Sequence, residues 1–366
     1  MKIGIDAKCF VGNFTGVGNY CYNLLNELML LRSDDEFYLF ANKDFTIDLA
    51  NVNKIVSKGL ICKSGVLWLM SEAPRLFQKH NIDVFWATSG LIPLNLMGVK
   101  TVLTIYDFVW RRYPSTMPFL YRNALSRFTK SSIENADKIV TISDSTAAEV
   151  LSYYGRVPDK VIRPGVSAIY QRRDPNEVQK VKVKYNIGSS YNLIVGTLEP
   201  RKNLDTFLRA YCDLAETTAA IHIPELVIVG NKGWRNSRLL SKIQSLENRG
   251  LVKRLGYVPE EDLPALYTGA NLFFMPSLYE GFGMPVLEAY SCATPVVISD
   301  IPALHEACCN CGLFYDPSYI GIRDILCKIY CEHITPIQPD ASLVDWNWSS
   351  GAEKLSQVID SAIAGR

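Results

Sequence analysis

The chain has 366 residues, 48% hydrophobic and 20% charged, a length suited to two domains and a composition that excludes a small peptide scaffold or a disordered chain. Lys and Arg number 38 against 37 Asp and Glu, and the resulting formal charge of +1 excludes a generally basic nucleic-acid binder. The balance is uneven along the chain: residues 1–175 carry 21 basic and 16 acidic side chains, whereas residues 176–366 carry 17 and 21.

Short runs of Val, Ile, Leu and Phe alternate with amphipathic stretches of about 10–15 residues, which is the pattern of βαβ units around a parallel sheet. The class is therefore α/β. The first half predicts strands at 2–6, 37–40, 84–87, 101–106 and 138–142, and helices at 19–31, 117–135 and 145–153. A turn-prone stretch at 165–175, with Gly165, Arg172, Arg173 and Pro175, reads as a hinge. The second half repeats the plan, with strands at 193–195, 225–229, 252–255, 272–275 and 296–298 and helices at 204–215, 237–248, 261–269 and 285–292. Open sheets of this kind bind ligands in the crevice beyond their carboxyl ends, so the loops there are where chemistry is expected.

Neither a signal peptide nor a run of roughly 18 apolar residues is present, so the reading places the chain in the cytoplasm. Ten cysteines are too few for a disulfide scaffold at this length. Cys308, Cys309 and Cys311 form the one tight cluster. A zinc site there would need a fourth ligand such as His305, Cys327 or Cys331, and the simpler reading is thiols in a turn beside a sheet.

Three segments carry candidate chemistry. The first strand leads into a glycine-containing loop at 12–20, with Gly16 and Gly18, where backbone N–H groups can approach a phosphate or simply form a tight turn. The first strand of the second half leads into Gly196-Thr197-Leu198-Glu199-Pro200-Arg201-Lys202-Asn203. Adjacent cations at a helix start can neutralise a diphosphate, or can equally be a solvated pair. The third segment is Pro276-Ser277-Leu278-Tyr279-Glu280-Gly281-Phe282-Gly283-Met284-Pro285-Val286-Leu287-Glu288-Ala289. With Pro285 at the first helical position, the N–H groups of Val286 and Leu287 are free to face an anion. Glu280 in the loop and Glu288 one turn inside the helix can accept hydroxyls from different parts of one ligand, or serve as a loop cap and a dipole partner.

Glu280 and Glu288, set in Glu-Gly-Phe-Gly-x-Pro-x-x-Glu, resemble the signature of retaining GT-B glycosyltransferases of family 4. The resemblance extends to the Gly16/Gly18 loop, Asp137 to Ser143, Arg163-Pro164-Gly165-Val166, and Gly196 to Asn203. Within the family, Ile3-Gly4-Ile5-Asp6-Ala7 and Thr15-Gly16-Val17-Gly18-Asn19-Tyr20 look most like bacterial mannosyltransferases of O-antigen and polysaccharide assembly. The resemblance implies two Rossmann-like domains, an acceptor-side domain over 1–170 and a nucleotide-sugar domain over 171–346, with a final helix within 347–366 packing back on the first. It further implies transfer of a hexose, mannose from GDP-mannose, to a lipid-linked or oligosaccharide acceptor in surface-polysaccharide synthesis. Alternatives are a UDP- or dTDP-sugar donor, a sugar-nucleotide 2-epimerase, a non-catalytic sugar-nucleotide sensor, and a nicotinamide dehydrogenase, the last weakened by the missing GxGxxG.

By the same resemblance, Arg201 and Lys202 hold the donor diphosphate, Glu280 with the amides of Gly281, Phe282 and Gly283 binds the transferred sugar, and Glu288 binds the ribose. The Gly16–Gly18 loop closes over the phosphates, Gly196 lines the donor site, and the backbone near Tyr257 and Val258 meets the base. Many members have His-Asp after the fourth strand where this chain has Tyr106-Asp107. Tyr106 is a poor cation near neutral pH, and Asp107 is a candidate for orienting the acceptor hydroxyl or a structural cap. The sequence has no Asp-x-Asp pair for a divalent ion, so transfer is expected to need no metal and no cofactor. Residues 111–130 carry five cations, several aromatics and no acid. Such a surface suits reversible contact with anionic lipid, with Val66 to Met70 as an apolar anchor; a solvated helix face and ordinary core are the alternatives.

Overall fold

The computed structural model describes residues 1–12, 16–57, 63–96, 98–116, 119–217, 223–233, 237–334, 337, 339 and 346–365. The chain forms two compact units, residues 1–165 with 346–366, and residues 166–345.

The first unit runs β1 (Lys2–Asp6), α1 (Gly16–Leu31), β2 (Glu36–Ala41), β3 (Val52–Val56), α2 (Gly65–Ser71), α3 (Ala73–His80), β4 (Val84–Ala87), β5 (Lys100–Ile105), α4 (Val109–Arg112), α5 (Phe119–Asn135), β6 (Lys138–Thr141), α6 (Asp144–Tyr154) and β7 (Lys160–Val161). Its seven strands are ordered β3-β2-β1-β4-β5-β6-β7, and every pairing is parallel. The central strands are buried along nearly their whole length, which is why they read as continuous apolar runs.

The second unit runs α7 (Pro175–Lys184), β8 (Tyr191–Val195), α8 (Leu204–Thr217), β9 (Glu225–Val229), α9 (Ser237–Glu247), β10 (Val252–Gly256), α10 (Leu263–Gly269), β11 (Phe273–Met275), α11 (Met284–Ser291), β12 (Val296–Ser299), α12 (Pro302–Ala307), β13 (Leu313–Tyr315) and α13 (Tyr319–Tyr330). Its six parallel strands are ordered β10-β9-β8-β11-β12-β13. The chain order reverses between β8 and β11, so the loops leaving these two neighbours emerge side by side. That single feature of topology brings the segment after Val195 next to the segment after Met275.

The last helix, α14 (Trp348–Ala364), returns to the first unit and packs on α1. Gly351 permits the approach, since a Cβ there would stand 3.1 Å from Leu24 Cδ1 and 3.3 Å from Ile162 Cγ2. Asn347 caps α14 by accepting from the Ser350 N–H at 2.7 Å.

Several elements depart from the periodicity of the sequence. The stretch read as a hinge ends in a helix: the Asp174 carboxylate accepts from the N–H groups of Asn176 and Glu177 at 2.8 and 3.1 Å, and Pro175 opens α7. The first unit ends at 165 where 170 was expected. The edge strand β3 and the helices α2 and α3 lie in a region given no elements. The α2 segment, read as a candidate membrane anchor, instead buries Trp68 and Leu69 in the core and leaves Leu67 exposed. Trp68 donates its indole N–H to Ser57 Oγ at 2.8 Å, the polar partner that lets a tryptophan sit fully inside.

Candidate active site

The site is built at the β8/β11 reversal. After β8 the chain passes Gly196 and forms a short 3-10 turn at Pro200–Lys202, which leads through Asn203 into α8. After β11 it runs Pro276 to Gly283 and enters α11. A backbone hydrogen bond from Leu278 N to Arg201 O, 2.8 Å, ties the two loops together.

At their junction Glu280 is nearly fully buried between the two expected phosphate-binding cations. Its Oε2 lies 2.6 Å from Arg201 Nη1 and its Oε1 2.7 Å from Lys202 Nζ. Arg201 also donates from Nη1 to the Tyr279 carbonyl at 3.3 Å and from Nε to Glu199 Oε2 at 3.1 Å. A buried carboxylate survives only with such compensation. Burial pushes the Glu280 carboxyl up, and the charges of Arg201 and Lys202 outweigh that push and hold it at about 2. Burial in turn lowers the Lys202 ammonium despite its attraction to Glu280.

Glu288, on α11, meets a different environment. Its Oε2 accepts from the Tyr267 hydroxyl at 2.7 Å. Burial lifts this carboxyl to about 7; the Tyr267 hydrogen bond opposes the lift and the charge of Glu260 adds to it. Tyr267, on α10, was not singled out from sequence. The available signal was an aromatic residue in a short amphipathic helix, which ordinarily means core.

The entry to α11 corrects one expectation. The helix begins at Met284, so Pro285 is its second residue, and the N–H groups of Val286 and Leu287 turn onto the Gly283 carbonyl at 2.9 and 3.4 Å. They are spent inside the helix and do not face an anion. Gly283 is the N-cap with φ of 116°, and a Cβ there would lie 2.5 Å from Leu304 Cδ2, so glycine is required on both counts. Gly281 and Phe282 are buried beside it. A second obligatory glycine, Gly230, lets the loop after β9 touch the Gly196 turn: a Cβ at Gly230 would fall 2.0 Å from Gly196 O. In the loop after β10, Val258 is buried and Tyr257 is 70% exposed.

The remaining predicted residues belong to the first unit. Gly16 and Gly18 lie in the first turn of α1 and not in a loop; residues 13–15 of that segment lie outside the described residues. Asp107 accepts from the Val109 N–H at 3.0 Å, a local turn contact at the entry to α4, whose N-cap residue is Phe108. Tyr106 sits with its hydroxyl 3.0 Å from Cys21 Sγ and its ring edge-on to Tyr20. Burial raises its phenol well above the usual range, so it stays neutral. In the basic stretch Arg111 stacks over the Tyr153 ring at 4.1 Å and Arg112 pairs with Glu149 at 2.7 Å; residues 117 and 118 are outside the described residues.

Around the cysteine cluster, Cys308 is buried, and His305 is engaged by Asp300 at 2.7 Å and Asn310 at 3.1 Å. Among the described residues no three His, Cys, Asp or Glu side chains converge on a common point for a metal ion, and no helix is long and apolar enough to cross a membrane.

Residues 14–168 match the family described as Glycosyltransferase Family 4, and residues 176–318 match Glycosyl transferases group 1. O-antigen chain mannosyltransferase B of Escherichia coli is 31% identical over 336 residues, 87% of either chain. The chain belongs to the group 1, family 4 glycosyltransferases. This glycosyltransferase is also 28% identical to the O-antigen chain mannosyltransferase RfbU of Salmonella typhimurium, across 66% of this chain and 63% of that one. Sucrose-phosphate synthase from Thermosynechococcus elongatus superposes with a TM-score of 0.71 at 17% identity, covering 100% of this chain and 97% of its own. WaaG, a glycosyltransferase involved in lipopolysaccharide biosynthesis, superposes at 0.69 and 17%, covering 98% and 95%. At such identity the two structures speak for the fold, which is GT-B with two Rossmann-like parallel sheets.

Proposed function

We propose that this glycosyltransferase moves mannose from GDP-mannose, with retention of configuration and without a metal ion, onto a lipid-linked or oligosaccharide acceptor of a surface polysaccharide. The observation that carries the reading is the buried Glu280 clasped by Arg201 and Lys202 at 2.6 and 2.7 Å. When a sugar diphosphate enters, those two cations can turn part of their charge to its phosphates, while Glu280 accepts hydroxyl hydrogens of the sugar. The bond from the anomeric carbon to the β-phosphate oxygen breaks, its electron pair leaves with the diphosphate, and the acceptor oxygen bonds to the same face of that carbon as it passes its proton to the departing phosphate oxygen. Arg201 and Lys202 favour this step because charge grows on the departing phosphate directly beside them. Glu288 takes the ribose hydroxyls, and the mannose and GDP assignments draw on the O-antigen mannosyltransferases to which the chain is similar.

Approach to an anionic membrane at the cytoplasmic face belongs to the same reading. It rests on the cations of residues 111–130, since the segment 66–70 expected as an apolar anchor turns Trp68 and Leu69 into the core and leaves only Leu67 exposed.

The test is mannose transfer from GDP-mannose to lipid-linked acceptor, run beside UDP- and dTDP-sugars and with EDTA. The reading expects turnover with GDP-mannose that EDTA leaves unchanged, and a product keeping the donor's anomeric configuration. Turnover with UDP- or dTDP-sugars only, inversion, or loss in EDTA with recovery on adding Mg²⁺ would contradict it.

A further inference from the structure

We propose that Tyr267 is a positioning residue for the donor: its phenol fixes Glu288 Oε2, leaving Oε1 to accept a ribose hydroxyl. The inference rests on the reading of Glu288 as the ribose-binding carboxylate and adds to it the group that aims and charges that carboxylate.

The phenol is held on every side. Tyr267 is fully buried. Its ring packs edge-on against Phe273 of β11 at 5.5 Å and against Tyr170 at 6.1 Å, and its carbonyl accepts from the buried Thr294 hydroxyl at 2.7 Å. The hydroxyl therefore has a fixed place, and at 2.7 Å from Glu288 Oε2 it is a donor to that carboxylate. A phenol whose own ionisation burial suppresses keeps its proton and donates it to the ionised carboxylate. Few rotamers remain to be lost by either partner when a ligand arrives, so the carboxylate is pre-organised.

The same contact sets when Glu288 is charged. The groups facing it are Tyr267 from α10, Glu260 from the turn before α10, Lys202 from the loop after β8, and the nearby Tyr170 and Cys292. Burial and Glu260 favour the neutral acid; Tyr267 and Lys202 favour the carboxylate, and the balance falls at about 7. Removing the phenol removes one of the two groups that favour the charge, and the midpoint must rise.

The experiment is calorimetric titration of GDP-mannose, whose phosphates stay fully ionised across this range, into the wild type, Tyr267→Phe and Glu288→Gln between pH 5.5 and 9. The wild type should bind more tightly as pH rises through about 7. Tyr267→Phe should show the same inflection displaced upward by about one unit, hence binding weakened about fivefold at pH 7 and recovered near pH 9. Glu288→Gln should be weak and flat. A purely structural role for Tyr267 would weaken binding equally at every pH with the inflection unmoved, and that result overturns the proposal while a flat Glu288→Gln profile leaves the ribose reading standing. Wild-type affinity and profile in Glu288→Gln would instead overturn the ribose reading and the proposal with it. If Tyr267→Phe does not fold, 3-fluorotyrosine placed at 267 serves instead: its more acidic phenol donates more strongly, so the inflection must move down, and an unmoved inflection refutes the proposal.

Discussion

Glu280 and Glu288 stand eight positions apart in one loop-and-helix segment, the first buried and the second partly so, and their chemistry is opposite. Glu280 faces two cations and is held ionised with its carboxyl at about 2, whereas Glu288 faces a phenol and another acid and is lifted to about 7. Burial acts the same way on both. The difference lies in the neighbours, and those are set by topology: the reversal between β8 and β11 delivers Arg201 and Lys202 to the loop, while α10 delivers Tyr267 to the helix. One motif thus supplies a permanently charged clasp and a carboxylate poised near neutral pH.

The largest effect expected from breaking this contrast is at the charged end. Glu280→Gln keeps the shape but removes the counter-charge shared by Arg201 and Lys202. Transfer should fall roughly 10²–10³-fold, measured as initial rates of mannose transfer on protein whose circular dichroism is unchanged. Rates within a few-fold of wild type would remove Glu280 from the transfer step.

A second, intermediate effect separates the two acids by pH. Glu280 has a folded value below its ordinary one, so the stability it contributes is complete above about 4.5 and is lost only as pH falls toward about 2. Glu288 has a raised value: its folded form holds a proton that the unfolded chain gives up, so stability declines as pH rises from about 4.5 to about 7. Denaturant midpoints across pH 4–8 should show that decline in the wild type and a shallower slope in Glu288→Gln. Parallel slopes would mean that Glu288 is not raised.

The smallest effect concerns the first unit. Asp107→Asn retains an oxygen for the Val109 N–H, so stability should stay within about 0.5 kcal/mol by thermal melting, while Asp107→Ala should lose about 1 kcal/mol with that hydrogen bond. If the asparagine variant keeps the fold yet transfers much more slowly, the charge of Asp107 acts on the acceptor; equal rates confine it to the local contact with Val109.

Much of this arrangement was legible in the sequence, for identifiable reasons. The central strands β1, β4 and β9 have the bounds their apolar runs predicted, because strands covered on both faces must be continuously hydrophobic. The edge strand β3 is half exposed, with Asn53 and Lys54 in its middle, and β13 has three residues, so neither offers a run to read. Arg201, Lys202 and the two glutamates could be named from their spacing, but their mutual ion pairing could not, since it depends on which strands are neighbours. Tyr267 stayed hidden because its ring is ordinary core and only its hydroxyl touches the site. The free N–H groups expected at Val286 and Leu287 failed by one residue of register: starting α11 at Met284 lets both reach the Gly283 carbonyl.

The account turns on whether Arg201 and Lys202 receive the donor diphosphate. Lys202→Ala removes one cation and leaves Arg201 paired with Glu280, so kcat/KM for GDP-mannose is the direct measurement. A fall of roughly 100-fold or more is predicted, with the fold intact by thermal melting. A value within threefold of the wild type would contradict the assignment and return the basic pair to a structural role.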